Sequence, residues 1–167
     1  LFNVPVIQTF GMTEAGPLIT TNLLPPAPRK PGSVGPSCGP EIRIEAPDGT
    51  PLPSGEIGEV AVRGENVVAG YEDAPEANAH SFRGGWFHTG DLGRLDSRGL
   101  LYITGRESDM YISGGSNVYP REVEEVLLTH PGVAEVAVLG VPDAKWGEVG
   151  VAVVVASQTG LSADMLL

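Results

Sequence analysis

The chain has 167 residues, 41% of them apolar, which is enough for one ordinary domain or parts of two around a globular core. Its 10 Lys and Arg stand against 21 Asp and Glu, a formal charge of −11 that excludes general attraction to nucleic acid or an anionic membrane; any anionic ligand must be met locally. One cysteine, Cys38, excludes an intrachain disulfide, fits a reducing cytoplasmic setting, and reads as a small core or loop residue rather than a catalytic thiol.

The 23 Gly and 15 Pro are not periodic, so they mark turns in a strand-rich protein. The start has no basic-then-apolar leader, and no run approaches the ~18 apolar residues of a membrane span. The chain opens inside an apolar run and stops where a helix is expected to begin at Ser162, so it reads as a fragment.

Phe2 to Ile7 predicts a short buried strand leading into Gln8-Thr9-Phe10-Gly11-Met12-Thr13-Glu14. At such a strand-to-loop edge Gly11 lets the backbone approach a ligand, and Thr13 can donate a hydrogen bond to a phosphate or carboxylate oxygen. Glu14 can hold Mg2+ through oxygen coordination. A plain turn accounts for the same residues.

Leu24 to Gly39 is dense in Pro and Gly and predicts an irregular surface connection, with Arg29 and Lys30 solvated. Glu41 to Glu45 and Gly58 to Arg63 alternate around Ile42, Ile44, Val60 and Val62, with a turn at Asp48-Gly49, and predict an antiparallel β-meander. Glu56 and Glu59 belong on its wet face.

Pro75 to Phe82 predicts a short helix, with Asp73 as a candidate cap. In Gly84-Gly85-Trp86-Phe87-His88-Thr89-Gly90-Asp91, Asp91 is placed to accept both hydroxyls of a ribose, as acidic residues do at strand ends of other nucleotide folds. His88 reads as a packing histidine, having no visible partner in the neighbouring sequence. Asp96-Ser97-Arg98-Gly99 turns a hairpin between Leu92–Leu95 and Leu100–Thr104, which delivers Arg106. That guanidinium can bind a ribose or phosphate in bidentate fashion, or pair with Glu107 or Asp109 at the surface.

Gly114-Gly115 precedes a helix with Pro120 at its first position, in which Val123, Val126 and Leu127 share a face. Glu122, Glu124 and Glu125 read as surface charges favourable to its dipole. Val133 to Val141 and Val149 to Ala156 predict two strands, completing a small α+β unit. The composition changes at about Arg106 to Asp109. Neither the phosphate-loop nor the dinucleotide-binding glycine signature is present, and neither is a metal-binding His/Cys cluster.

Five of these segments occur in an order that resembles the adenylate-forming (AMP-binding) superfamily of acyl-CoA synthetases, peptide-synthetase adenylation domains and luciferases. They are Gln8 to Glu14, Gly58 to Gly64 with Val68 to Tyr71, Trp86 to Leu92, Gly105-Arg106, and Gly114 to Glu124, together reaching across nearly the whole chain. Gly-Gly-Ser-Asn-Val-Tyr-Pro-Arg-Glu-Val-Glu is most similar to the acyl-CoA synthetase, or carboxylic acid–CoA ligase, branch.

The resemblance implies an α/β multidomain enzyme fragment: residues 1–106 would end the large AMP-binding domain, with its β-rich distorted-barrel subdomain, and 107–167 would begin the mobile α+β C-terminal domain. It implies activation of a small carboxylic acid with ATP and Mg2+ to an acyl-adenylate, then transfer to coenzyme A, by a cytoplasmic ligase. Phe10 would pack on adenine, with Gly11 beside it. Thr13 would contact phosphate, Glu14 would help hold Mg2+, Asp91 would accept the ribose hydroxyls, Ile103 would line the pocket, and Arg106 would hold the ribose. Gly114, Gly115 and Trp146 would border coenzyme A.

Ser108 would be the hinge, where the family usually has Asp or Lys. The upstream phosphate loop, most of the acyl pocket and the C-terminal Lys of adenylation are not in these residues, so the resemblance implies no adenylation by this piece alone. Loading of a carrier protein and a non-catalytic binding module stay open as alternatives.

Overall fold

The structure, a computed structural model, describes residues 4–27, 29–157 and 159–166. The chain forms two compact units, Leu1–Ile103 and Thr104–Leu167. They part just ahead of the Arg106 to Asp109 segment where the composition changes, and of the 106/107 division that the resemblance implies. The division falls inside a continuous strand, where composition carries no signal.

In the first unit β1 (Thr9–Phe10) pairs antiparallel with β2 (Thr20–Thr21), with a 3-10 turn at Thr13–Ala15 between them. Then come β3 (Glu41–Glu45), β4 (Gly58–Arg63), the helix α1 (Pro75–Ser81), β5 (Phe82–Arg83), β6 (Trp86–Leu95) and β7 (Leu101–Arg106). One sheet runs β3-β4-β6-β5, and β7 also pairs with β6. The register sets Ile42 opposite Val62 and Ile44 opposite Val60, so the predicted meander is formed and one apolar face is continuous. On that face Ile44, Val60 and Val62 join Ala15, Ile19 and Leu101, each at most 2% exposed, as a single core. Burying each such branched side chain contributes about 1.5–3 kcal/mol.

Several expectations for this unit fail. Residues 4–8 form no strand, and Val4 and Val6 are exposed, because no described strand pairs with them; Phe2 lies outside the described residues. The Pro-rich connection is not all surface: Ser33 is fully buried, accepts the Gly35 N–H and donates to the Leu101 carbonyl (3.0 Å), which ties the connection to β7. Asp73 does not cap α1. Ala74 occupies that position with no side-chain hydrogen bond, and Asp73 itself has a φ of 49°.

The second unit comprises β8 (Tyr111–Ser113), β9 (Ser116–Val118), the helix α2 (Pro120–Leu127), β10 (Val133–Asp143) and β11 (Gly147–Ala156), in one antiparallel sheet ordered β10-β11-β8-β9. β10 and β11 form a long hairpin, as the two Val-rich runs predict. Gly114-Gly115 turns the short β8–β9 hairpin, which the sequence reading missed because its strands are three residues each. On α2, Val123 and Leu127 are half-buried one turn apart, whereas Val126 is 68% exposed. Glu124 is not a free surface charge: its Oε1 accepts the Val138 N–H at 2.9 Å and pins the helix to β10. At the end of the chain a 3-10 turn, Ala163–Met165, stands where a helix from Ser162 was expected.

Candidate functional site

The loop that follows β1 is built against the core of the first unit. Phe10 and Met12, like Ile103 on β7, are partly buried and pack against the same apolar cluster, so the structure brings Phe10 and Ile103 to one support. Gly11 serves packing as well as any ligand: a Cβ there would lie 2.2 Å from the Pro17 carbonyl oxygen, so its close backbone approach is to its own chain. Thr13 is exposed and Glu14 half-buried at the 3-10 turn.

Two ties hold Glu14: its carbonyl accepts the Val68 N–H (2.8 Å) and its Oε1 accepts the Tyr71 hydroxyl (3.0 Å). Burial, and then the hydrogen bond to Glu14, push the Tyr71 phenol above its ordinary pKa, so it stays a donor at neutral pH. Tyr71 thereby orients one carboxylate oxygen and leaves the other.

Asp91 is presented by an irregularity of β6. Glu59 faces Leu92 and Ala61 faces His88, so Val60 alone opposes Thr89, Gly90 and Asp91. Such a bulge re-aims side chains and needs its own hydrogen bonds. Thr89 supplies two, its Oγ1 donating to the Val60 carbonyl (2.9 Å) and accepting the Asp91 N–H (3.1 Å). Asp91 is only 4% exposed.

Behind the bulge lies the second face of the sheet, which is polar but not wet. The register puts Glu45 directly opposite Glu59, and His88 opposite Ala61 on the same face. His88, 5% exposed, has its Nδ1 3.0 Å from Glu59 Oε2 and 3.8 Å from Glu45 Oε2. Arg83 reaches Glu59 Oε2 at 2.9 Å, and Arg43 pairs with Glu45. Arg43 and Arg63 also stack on Trp86, 4.1 and 4.4 Å from its ring centre, and cover the face. This corrects the expectation for Glu59, which is mostly buried; His88 is the packing histidine expected, with partners brought by other strands. Glu56 is exposed as expected.

Arg106 is exposed at the end of β7, and Ser108 lies in the 3-10 turn Glu107–Asp109, donating to Asp109 Oδ1 at 3.0 Å. In the second unit the structure brings Gly114 and Trp146 together. The Gly114 N–H donates to the Trp146 carbonyl (2.9 Å), and a Cβ on Gly114 would lie 2.8 Å from the indole. Trp146 is half-exposed, with the Lys145 ammonium 4.6 Å from its ring centre; Gly115 completes the turn. Among the described residues no three His, Cys, Asp or Glu side chains cluster to hold a metal ion by themselves.

The family model described as AMP-binding enzyme matches residues 1–72, and that of the AMP-binding enzyme C-terminal domain matches residues 122–166. Over 167 residues the chain is 44% identical to a sulfoacetate–CoA ligase of Cupriavidus necator, covering 99% of this chain and 33% of the relative. Its fold is similar to that of ATP-bound MatB from Rhodopseudomonas palustris (TM-score 0.91, 43% identity, 97% of this chain and 33% of that one). It also matches o-succinylbenzoate CoA synthetase from Bacillus subtilis in complex with its acyl-adenylate intermediate (TM-score 0.83, 46% identity, 97% and 33%). The chain spans about a third of the length of the curated relatives it matches.

Proposed function

Since the chain belongs to the AMP-binding enzyme family, we propose that it is part of an AMP-forming acid–CoA ligase and carries much of that enzyme's nucleotide site. The whole enzyme joins a carboxylic acid to AMP from ATP, releasing pyrophosphate, and then passes the acyl group to the thiol of coenzyme A, releasing AMP. The observation that carries this reading is the bulge of β6, which holds a buried carboxylate, Asp91, in the unit that also contains Phe10 and Glu14.

Phe10, braced by the core, offers a rigid face to adenine, and Ile103 on the same support lines the pocket. Asp91 accepts the ribose hydroxyls in charge-assisted hydrogen bonds, and Arg106 is the cation assigned to the ribose. Thr13 donates to a phosphate oxygen. Glu14 fits Mg2+, which is usually held by one or two carboxylates together with substrate phosphates; Tyr71 fixes one of its oxygens and leaves the other for the ion. When bound there, Mg2+ would supply neutralisation of phosphate charge.

Gly114, Gly115 and Trp146 form a small-residue turn beside an aromatic face with a nearby Lys145, which suits an extended chain ending in phosphates, as coenzyme A has. Ser108 is the proposed pivot. No described helix is long and apolar enough to cross a membrane; the lone Cys38, which excludes an intrachain disulfide, supports a cytoplasmic setting.

The test is ATP–pyrophosphate exchange by the full-length protein over a panel of carboxylic acids, followed by offering coenzyme A and a phosphopantetheinyl carrier in turn. Exchange with at least one acid and thioester formation on coenzyme A are expected. Asp91→Ala should raise the KM for ATP or lower turnover severely. Absence of exchange with every acid would overturn the reading.

A further inference from the structure

The polar face of the first sheet contains an arrangement that folding alone does not call for: two carboxylates, Glu45 and Glu59, directly opposite each other and both largely buried, with side chains 2% and 13% exposed. Like charges facing across strands are destabilising. Three basic side chains, Arg43, Arg83 and His88, surround the pair. The outcome of holding Glu59 there is specific, because its Oε1 accepts the N–H of Gly90 at 3.3 Å, at the middle of the bulge, while its Oε2 takes the Arg83 guanidinium at 2.9 Å and lies 3.0 Å from His88 Nδ1.

We propose that Glu59 is a positioning residue for Asp91, fixing the backbone of the bulge from behind so that the Asp91 carboxylate meets the ribose. Resting on the nucleotide reading above, this adds a residue with no contact to the nucleotide. In a bulge extra residues of one strand face a single residue of the other and fall out of the regular ladder, so its conformation is set by whatever replaces the ladder. Two groups do so here. Thr89 Oγ1 links Val60 O to Asp91 N on one side of Gly90, and Glu59 Oε1 takes Gly90 N itself. Arg83, on the edge strand β5, and His88, the last regularly paired residue before the bulge, anchor the carboxylate so that it cannot turn away.

The experiment measures kcat/KM of the full-length enzyme for ATP and for 2′-deoxy-ATP, a ratio that reads the ribose contact and that mere loss of stability does not move. Wild type should prefer ATP and Asp91→Asn should lose the preference. Glu59→Ala should reduce the ratio by roughly tenfold, the scale of one mispositioned hydrogen bond. Glu59→Gln, which keeps an acceptor for the Gly90 N–H, should retain most of it. Thr89→Val cuts the other tie while keeping the side-chain shape; it should lower the ratio too, and decides the matter if Glu59→Ala does not fold. Val62→Ala, on the apolar face, should lower Tm and leave the ratio unchanged. A wild type that discriminates, with Glu59→Ala or Thr89→Val retaining its full ratio, overturns the positioning role and leaves the ribose contact standing. A wild type that does not exchange pyrophosphate, or uses both nucleotides equally, removes the ribose contact and this inference with it.

Discussion

Gly114 has a φ of 58°, and the indole of Trp146 occupies the space where its Cβ would be. Both facts act against any side chain there, the first through backbone strain and the second through contact with an aromatic ring. Gly114→Ala should therefore destabilise the second unit by about 1–3 kcal/mol, the range for a non-glycine residue in this backbone region. Thermal melting checks the loss, and tryptophan emission should shift as Trp146 is displaced; an unchanged melt and spectrum would refute the packing. Glu14, the proposed cation ligand, likewise has one of its oxygens held by the Tyr71 hydroxyl.

At the scale of the element, the β6–β7 hairpin depends on one carboxylate. Asp96 Oδ1 accepts the N–H groups of Arg98 and Leu100 at 2.9 and 3.0 Å, and its Oδ2 takes the Arg98 guanidinium at 2.8 Å. The Arg98 side chain foremost, then the Leu100 N–H, lower the Asp96 carboxyl from 3.8 to about 2. A carboxyl whose pKa is depressed on folding stabilises the fold above its unfolded value and loses that contribution as pH falls through the folded one. Wild type should thus lose Tm between about pH 4 and pH 2 through this group, and Asp96→Asn should start lower at neutral pH and show a flatter profile over that window. Parallel melts of the two proteins across the window check it. Because β6 and β7 carry Asp91 and Ile103, this turn also sets the strands from which the proposed nucleotide site is built.

For the whole molecule the consequence of two compact units is that a core defect should be felt locally. Ile19 is fully buried in the first unit's cluster, so Ile19→Ala should cost about 2–5 kcal/mol through lost contacts and a residual cavity. Hydrogen exchange should show protection falling in β3, β4 and β6 while the β10–β11 hairpin keeps its own. Equal loss in both would mean that the units unfold as one. The family resemblance, and with it the candidates Phe10, Thr13, Glu14, Asp91 and Arg106, was legible in local runs of sequence, as were the meander, the β6–β7 hairpin and the long β10–β11 hairpin. These depend on alternation and turn residues, which are properties of neighbours along the chain.

Glu59, Glu45 and His88 mark the other limit. Alternation with Val60 and Val62 correctly put Glu59 on the opposite face of β4, and composition gave every reason to expect water there. Only the tertiary structure decided that this face is covered, because the covering comes from β3, β5 and β6: Arg43, Arg83, Trp86 and His88 arrive from segments up to several tens of residues away. The bulge at Thr89–Asp91 belongs to the same class, since a bulge is a mismatch between two strands and neither strand alone contains it. Periodicity along one chain shows which side a residue takes; what lies on that side is settled by strand pairing at long range.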